Sequence, residues 1–151
     1  MVDLLREDLI LPRLAAADGD AVIRELGEFL AERHPGVNAD DAIRVLAARE
    51  RLGSTAVGEG LAIPHAKLDS LNDLVACLGR SRRGIDFHAP DGKPSHFFFV
   101  LIAPVAAPGS HLKALARITR LFRDADFRAR LVAARTAREM YDIITAEEEE
   151  R

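Results

Sequence analysis

The chain has 151 residues, of which 48% are hydrophobic and 30% charged, and its formal net charge is −3. This balance is typical of one soluble globular domain, and the weakly acidic charge argues against a nucleic-acid-binding surface. Residues 97–107, the most apolar stretch, contain a proline and are too short to span a membrane. Because the acidic start also lacks the apolar run of a signal peptide, we expect a cytoplasmic protein with no membrane segment.

The first third of the chain predicts a short strand and two helices. Residues 9–11 precede a proline, which is typical of an edge strand. A turn at 18–20 is followed by apolar residues at helical spacing, so we predict a helix that ends near residues 34–36. Asn38 is a good N-cap for a second helix, and Gly53 is placed to end it.

The middle of the chain predicts a sheet. In residues 54–67 the pattern favours two short strands joined by a tight turn at 58–60. Cys77, the single cysteine, has apolar neighbours that predict a buried hydrophobic side chain. The run 97–102 has no polar alternation and predicts a central strand buried on both faces. Further strands are predicted at 74–79, 85–87 and 97–103, with a turn at 89–94 between the last two.

The last third predicts three helices. Ser110 is the expected N-cap of the first, Phe127 marks the second, and Thr136 is the expected N-cap of the third. The predicted buried face of the first consists of Leu112, Leu115, Ile118 and Phe122. Together these elements predict a single α/β domain over residues 1–146, with a mixed β-sheet flanked by helices on both faces. Residues 147–151 are expected to form a solvated, frayed acidic tail.

His65 is the strongest candidate for chemistry. Pro64 fixes the backbone before it and ends the strand at 61–63, so His65 is expected at a strand end, facing solvent. A neutral imidazole held in this way is a nucleophile for a phosphoryl group, whose charge nearby donors and cations would stabilise. The residues expected to bind phosphate or a partner protein are Arg49, Ser54, Thr55, Gly58, Gly60 and Lys67.

His111 is a second candidate, in the segment Pro108-Gly109-Ser110-His111-Leu112. If Ser110 is the N-cap, His111 lies in the first helical position, where unsatisfied amides attract anions and the positive helix end lowers the histidine pKa. Without His65, an ordinary polar residue in a first helical turn would be the simpler interpretation.

The segment 49–67 resembles the active-site signature of the fructose/mannitol-type enzyme IIA family of the bacterial phosphoenolpyruvate-dependent phosphotransferase system. The motif elements Gly-Ser-Thr, Gly-x-Gly and Ile-Pro-His occur here as residues 53–55, 58–60 and 63–65. The resemblance covers nearly the whole chain and is strongest to the nitrogen-regulatory branch. It implies a mixed sheet with helices on both sides.

The resemblance also implies roles for individual residues. His65 is the phosphorylated histidine, modified on Nε2 by an HPr-like donor protein; His111 is the supporting histidine, and Arg49 is the arginine that flanks the signature. Ala66 departs from the pattern, because a glycine commonly follows the active histidine. A methyl group there is expected to narrow the approach of a partner without touching the chemistry.

Three functions are compatible with these residues. The first is a regulatory phosphocarrier whose phosphorylation changes which protein targets it binds. The second is a sugar-transport enzyme IIA that passes phosphate to an enzyme IIB; no such domain is fused to this sequence, which favours the first function. The third is a binding module that is never phosphorylated. No cofactor is expected, and no metal, because His65, His88, His96 and His111 lack the spacing of a zinc motif.

Overall fold

The computed structural model describes residues 4–107 and 109–150, so Pro108 of the predicted helix-start segment lies outside the described residues. A 3₁₀ turn at Glu7–Leu9 precedes six strands and five helices. The strands are β1 (Ile10–Leu11), β2 (Ala56–Gly58), β3 (Leu61–Ala62), β4 (His65–Leu68), β5 (Val75–Ile85) and β6 (Ser95–Pro104). The helices are α1 (Gly19–Arg33), α2 (Ala39–Arg51), α3 (Ser110–Leu121), α4 (Ala125–Ala133) and α5 (Ala137–Glu149). No helix within the described ranges has the length and apolar character needed to cross a membrane.

All six strands form one mixed sheet in the order β1-β5-β6-β3-β2, and β4 also pairs with β6. Strand β6 runs antiparallel to β5 and parallel to both β3 and β4. β1 lies at one edge, as predicted, and pairs in parallel with β5. Helices α1, α2, α3 and α5 each contact a strand of this sheet. The predicted class, a single α/β domain with a mixed sheet and flanking helices, is confirmed.

Strand β6 is the centre of the hydrophobic core. Every residue from Phe97 to Pro104 is buried, and only His96 in the strand is partly exposed. Such a strand has no solvent-facing side because helices and neighbouring strands cover both faces, which explains the absence of polar alternation. The prediction of a central strand at 97–103 is therefore confirmed.

Side-chain caps fix where four helices begin, at Asp18, Asn38, Asp124 and Thr136. Asn38 accepts from the Asp41 amide at 3.0 Å, and Thr136 accepts from the Glu139 amide at 3.0 Å, which confirms both predicted N-caps. Asp18 accepts from the Ala21 amide at 2.8 Å, so it too is an N-cap. The predicted turn at 18–20 is thus wrong beyond Asp18, because Gly19 and Asp20 already belong to the first turn of α1.

Strand β5 is one long strand where two were predicted. The sequence separated 74–79 from 85–87 because residues 81–84 are polar and end in a glycine. In the structure β5 continues to Ile85, and an irregularity in its pairing with β6 between Arg80 and Ile85 accommodates the polar residues. Gly84 has a φ of +84°, a conformation that favours glycine.

Cys77 lies in the middle of β5 and is fully buried. Burial raises the pKa of its thiol to about 12. Since the apolar core disfavours the thiolate, Cys77 is a buried hydrophobic side chain, as predicted.

The acidic C-terminal residues do not form a frayed tail. Helix α5 continues to Glu149, and Glu147 is buried. Its carboxylate accepts from Arg130 on α4 at 2.8 Å. A run of four glutamates predicted a solvated segment. Glu147, the first of them, instead faces α4 and pairs with Arg130, so the prediction is wrong for Glu147.

Replacing Glu147 with glutamine is expected to lower the free energy of unfolding by about 1–2 kcal/mol, because a buried carboxylate loses its charge-assisted bond to Arg130. Glu149→Gln is the matched control, since Glu149 is exposed on the same helix. Urea denaturation of both variants measures the difference, and equal stabilities would mean that the Arg130 contact contributes nothing.

Candidate functional site

His65 is the first residue of β4 and follows Pro64 directly. It pairs with Leu101 of β6, and the Leu101 amide donates to the Pro64 carbonyl at 2.9 Å. The structure thus places His65 at a strand end, as predicted, but His65 begins the new strand β4 and does not end the strand at 61–63. Pairing with β6 holds this backbone in addition to the proline. The side chain of His65 is partly buried.

One hydrogen bond determines which nitrogen of the His65 ring carries the proton. Nδ1 lies 2.7 Å from the carbonyl oxygen of Ile63. A carbonyl only accepts hydrogen bonds, so neutral His65 is protonated on Nδ1 and its lone pair is on Nε2.

His111 lies beside His65, on the first turn of α3. The two rings are stacked, with centroids 5.9 Å apart and an angle of 22° between their planes. Burial lowers the pKa of His111, and electrostatic repulsion from the His65 ring in its protonated form and from Lys67 lowers this pKa further. The neutral form of His111 is therefore favoured next to His65.

The start of α3 differs from the prediction. Gly109 is the N-cap, and Ser110 is the first helical residue with a buried hydroxyl that has no partner within the described ranges. His111 is therefore the second helical residue and not the first. Leu112, predicted on the buried face, is 61% exposed, while Ala114 and Ile118 are buried. The cap was misassigned because Ser110 is the better capping residue by type, but the backbone places Gly109 there.

Both histidines line an open depression of about 590 Å³, which we call the His65 depression. Three cations line it, Arg44 and Arg49 from α2 and Lys67 from β4, and no aspartate or glutamate is among its lining residues. Arg49 donates to the Gly53 carbonyl at 2.9 Å, which holds the guanidinium at the end of α2. The depression is therefore a positively charged surface that includes two histidines, suited to a dianionic group.

Arg44 was missed by the sequence analysis. It lies five residues before Arg49 on the same helix, and the helical stripe that also includes Val45, Ala48 and Leu52 faces the depression. The signal was present, because Arg44 and Ala48, and likewise Val45 and Arg49, are four residues apart and so lie on one side of the helix. Ala66 lines the depression as well, at the position where the signature commonly has glycine.

Ser54 and Thr55 do not line the His65 depression. The Ser54 hydroxyl donates to the Phe87 carbonyl at 2.5 Å and accepts from the Ala56 amide at 3.0 Å. Thr55 is buried, and its hydroxyl donates to a carboxylate oxygen of Glu50 at 2.6 Å. Both hydroxyls make hydrogen bonds within the protein, so these residues have positioning contacts, and their binding of phosphate or a partner protein stays a prediction.

Gly58 and Gly60 also lie outside the His65 depression. They flank Glu59 in the predicted tight turn between β2 and β3, with φ values of +94° and +78°. Asp91 accepts from the Glu59 amide at 2.9 Å and holds this turn. The structure therefore explains the two glycines by backbone conformation. Of the predicted site residues, His65, His111, Arg49 and Lys67 are brought together.

Comparison with known proteins gives one consistent result. Residues 3–147 match the family described as phosphoenolpyruvate-dependent sugar phosphotransferase system, EIIA 2. A nitrogen regulatory protein of Bradyrhizobium diazoefficiens is 42% identical over 95% of this chain and 94% of its own length. The fructose-specific EIIABC component of Bacillus subtilis is 32% identical, over 95% of this chain and 23% of the relative. The crystal structure of the nitrogen regulatory protein IIA-Ntr from Neisseria meningitidis superposes with a TM-score of 0.86 at 32% identity, over 94% of this chain and 97% of that one.

The buried position of His111 predicts a pH dependence of stability. The folded state lowers the pKa of His111 from its ordinary 6.5, so the unfolded chain binds a proton more readily. Neutral His111 therefore makes its full contribution to the free energy of unfolding above the pKa that it has in the unfolded chain. This contribution is lost as the pH falls through the lower pKa that His111 has in the folded protein. Wild type should lose more unfolding free energy between about pH 7.5 and 5.5 than His111→Gln does. Denaturant titrations at both pH values measure this, and equal losses in the two proteins would contradict it.

Proposed function

Since the chain belongs to the EIIA 2 family of the phosphoenolpyruvate-dependent sugar phosphotransferase system, we propose that it is a phosphocarrier that accepts a phosphoryl group on His65. The observation that carries this proposal is the hydrogen bond between Nδ1 of His65 and the Ile63 carbonyl, which leaves the Nε2 lone pair free. Three cations and a second histidine surround that ring.

The transfer step follows from this geometry. The Nε2 lone pair of His65 attacks the phosphorus of a phosphohistidine on the donor protein, and a new N–P bond forms. The donor's N–P bond breaks, and its electron pair returns to the donor nitrogen. Nδ1 of His65 keeps its proton, and the Ile63 carbonyl stabilises the positive charge that the ring gains.

The surrounding side chains stabilise the transferred group. Lys67 and Arg49 supply positive charge for the phosphoryl oxygens, and Arg44 extends the same surface. The pKa of His111, lowered chiefly by burial, keeps its ring neutral, so it can offer one N–H to the phosphoryl group. In this proposal His111 has the supporting role, and Arg49 and Lys67 bind the phosphoryl oxygens.

We favour a regulatory role over sugar transport. The chain is 42% identical to a nitrogen regulatory protein and 32% identical to a fructose-specific EIIABC component. In the regulatory role an HPr-like protein of the nitrogen type donates the phosphoryl group in the cytoplasm. Up to two added negative charges then change the potential of a surface lined by three cations, and with it the choice of protein targets. In the alternative, an enzyme IIB takes the phosphoryl group from His65.

The first experiment is phosphorylation of the purified chain by phosphoenolpyruvate, enzyme I and an HPr-type donor, followed by intact mass. Wild type should gain one acid-labile, base-stable phosphoryl group, and His65→Ala should gain none while retaining cooperative thermal unfolding. His88→Ala is the matched control, because His88 is an exposed histidine outside the His65 depression, and should be phosphorylated like wild type. No adduct with nitrogen-type or sugar-type donors would leave the unphosphorylated binding module as the function.

His111→Ala should slow the transfer without abolishing it, by at least about tenfold, because one group that stabilises the phosphoryl charge is lost while Nε2 of His65 stays free. Single-turnover transfer from phosphorylated donor measures the rate. An unchanged rate would remove His111 from the mechanism.

Thr55→Val distinguishes a positioning role from a phosphate-binding role. The variant removes the hydroxyl that donates to Glu50, so the free energy of unfolding should fall by about 1–3 kcal/mol. Thr55→Ser, which keeps the hydroxyl, should recover most of that loss. Under conditions where both variants are folded, phosphorylation should reach completion in each. If folded Thr55→Val is not phosphorylated while Thr55→Ser is, the Thr55 hydroxyl binds the phosphoryl group.

A further inference from the structure

A second positively charged depression lies elsewhere on the molecule and shares no lining residue with the His65 depression. It has a volume of about 800 Å³ and lies between the loop that connects β1 to α1 and the irregular part of β5. Four arginines line it, and no aspartate or glutamate is among its lining residues; we call it the arginine depression. The four are Arg13, Arg80, Arg82 and Arg83.

Arg80 is fully buried, yet its hydrogen-bond partners are neutral. Its guanidinium donates to the carbonyls of Pro12 at 3.0 Å and Leu131 at 2.9 Å, and also to those of Val132 and Ala134. Nη2 has no partner within residues 4–107 and 109–150. The carbonyls of Leu131, Val132 and Ala134 lie at the end of α4, where a cation is favourable, but none of the four carbonyl partners carries a formal negative charge.

The neighbouring cations add to this charge. Burial lowers the pKa of Arg80, and repulsion from Arg82 and Arg13 lowers it further, with Glu139 acting in the opposite direction. In the described part of the chain no carboxylate lies within 4.0 Å of a nitrogen of any of the four arginines.

Two carboxylates close to the depression are held by backbone amides. Both carboxylate oxygens of Glu25 accept from the backbone of the β1–α1 loop, at the amides of Ala15 and Ala16. Glu139 accepts from the Arg135 amide at 2.8 Å, and its charge acts on Arg80 without an ion pair. Within the described residues, the four arginines therefore have no direct carboxylate partner.

We propose that the arginine depression binds a small ligand with a diphosphate group. A guanidinium group binds two phosphate oxygens at once, and the exposed guanidinium groups of Arg13, Arg82 and Arg83 together match two adjacent phosphates better than one carboxylate, while buried Arg80 adds positive charge beneath them. The depression is larger than a diphosphate alone, so a diphosphate ester with an organic group also fits. The site lies apart from His65, and its occupancy does not depend on the proposed phosphoryl transfer.

The test is calorimetric titration of the full chain with inorganic pyrophosphate and, separately, with ADP, at constant ionic strength. The main variant is Arg13→Gln/Arg83→Gln, because both residues are exposed and neither donates a side-chain hydrogen bond among those described, so the fold should be unaffected. The matched control is Arg24→Gln, an exposed arginine on α1 outside both depressions.

We expect binding that the double variant weakens at least about tenfold and that Arg24→Gln leaves unchanged. Tighter binding of ADP than of pyrophosphate would assign the site to a diphosphate ester, and equal binding would assign it to the diphosphate alone. The proposal is overturned if neither probe binds. It is also overturned if Arg49→Gln or Lys67→Gln abolishes binding while the double variant does not, because the probes then occupy the His65 depression. Phosphorylation of the double variant should match wild type, so the two proposals fail independently.

Discussion

The geometry of the His65 depression depends on the bond from the Leu101 amide to the Pro64 carbonyl. Pro64 cannot donate to a strand, but its carbonyl still accepts, so the chain leaves β3 and rejoins the same central strand as β4. The short step between the two strands turns the Ile63 carbonyl toward the ring of His65. A strand buried on both faces therefore determines the orientation of an imidazole at the surface.

Thr55 connects this step to the cations of the depression. Its carbonyl accepts from the Ile63 amide at 3.0 Å, and its amide and hydroxyl both donate to Glu50. Glu50 follows Arg49 directly on α2. Helix, loop and histidine are thus joined through one buried residue, which explains why a hydroxyl belongs in the signature although it does not face the depression.

Sequence reasoning predicted what depends on local pattern. The N-caps at Asn38 and Thr136, the central strand and the tight turn between β2 and β3 follow from residue type and spacing alone. The predictions failed where a contact with a distant part of the chain determines the local structure. The polar part of β5 lies between two positions, Arg80 and Ile85, that pair with β6, and buried Glu147 is paired with Arg130 from another helix. The lining residues of both depressions that the sequence did not predict were missed for the same reason, because residues from separate elements meet only in the folded chain.

The burial of Cys77 also has a consequence for experiments on this protein. The thiolate is the reactive form of cysteine, and a pKa of about 12 leaves almost none of it at neutral pH. The chain has no other cysteine, so thiol-directed reagents have no accessible target in the native state. A cysteine introduced at the surface would therefore be a unique attachment point for a fluorescent or spin label without prior removal of the natural thiol.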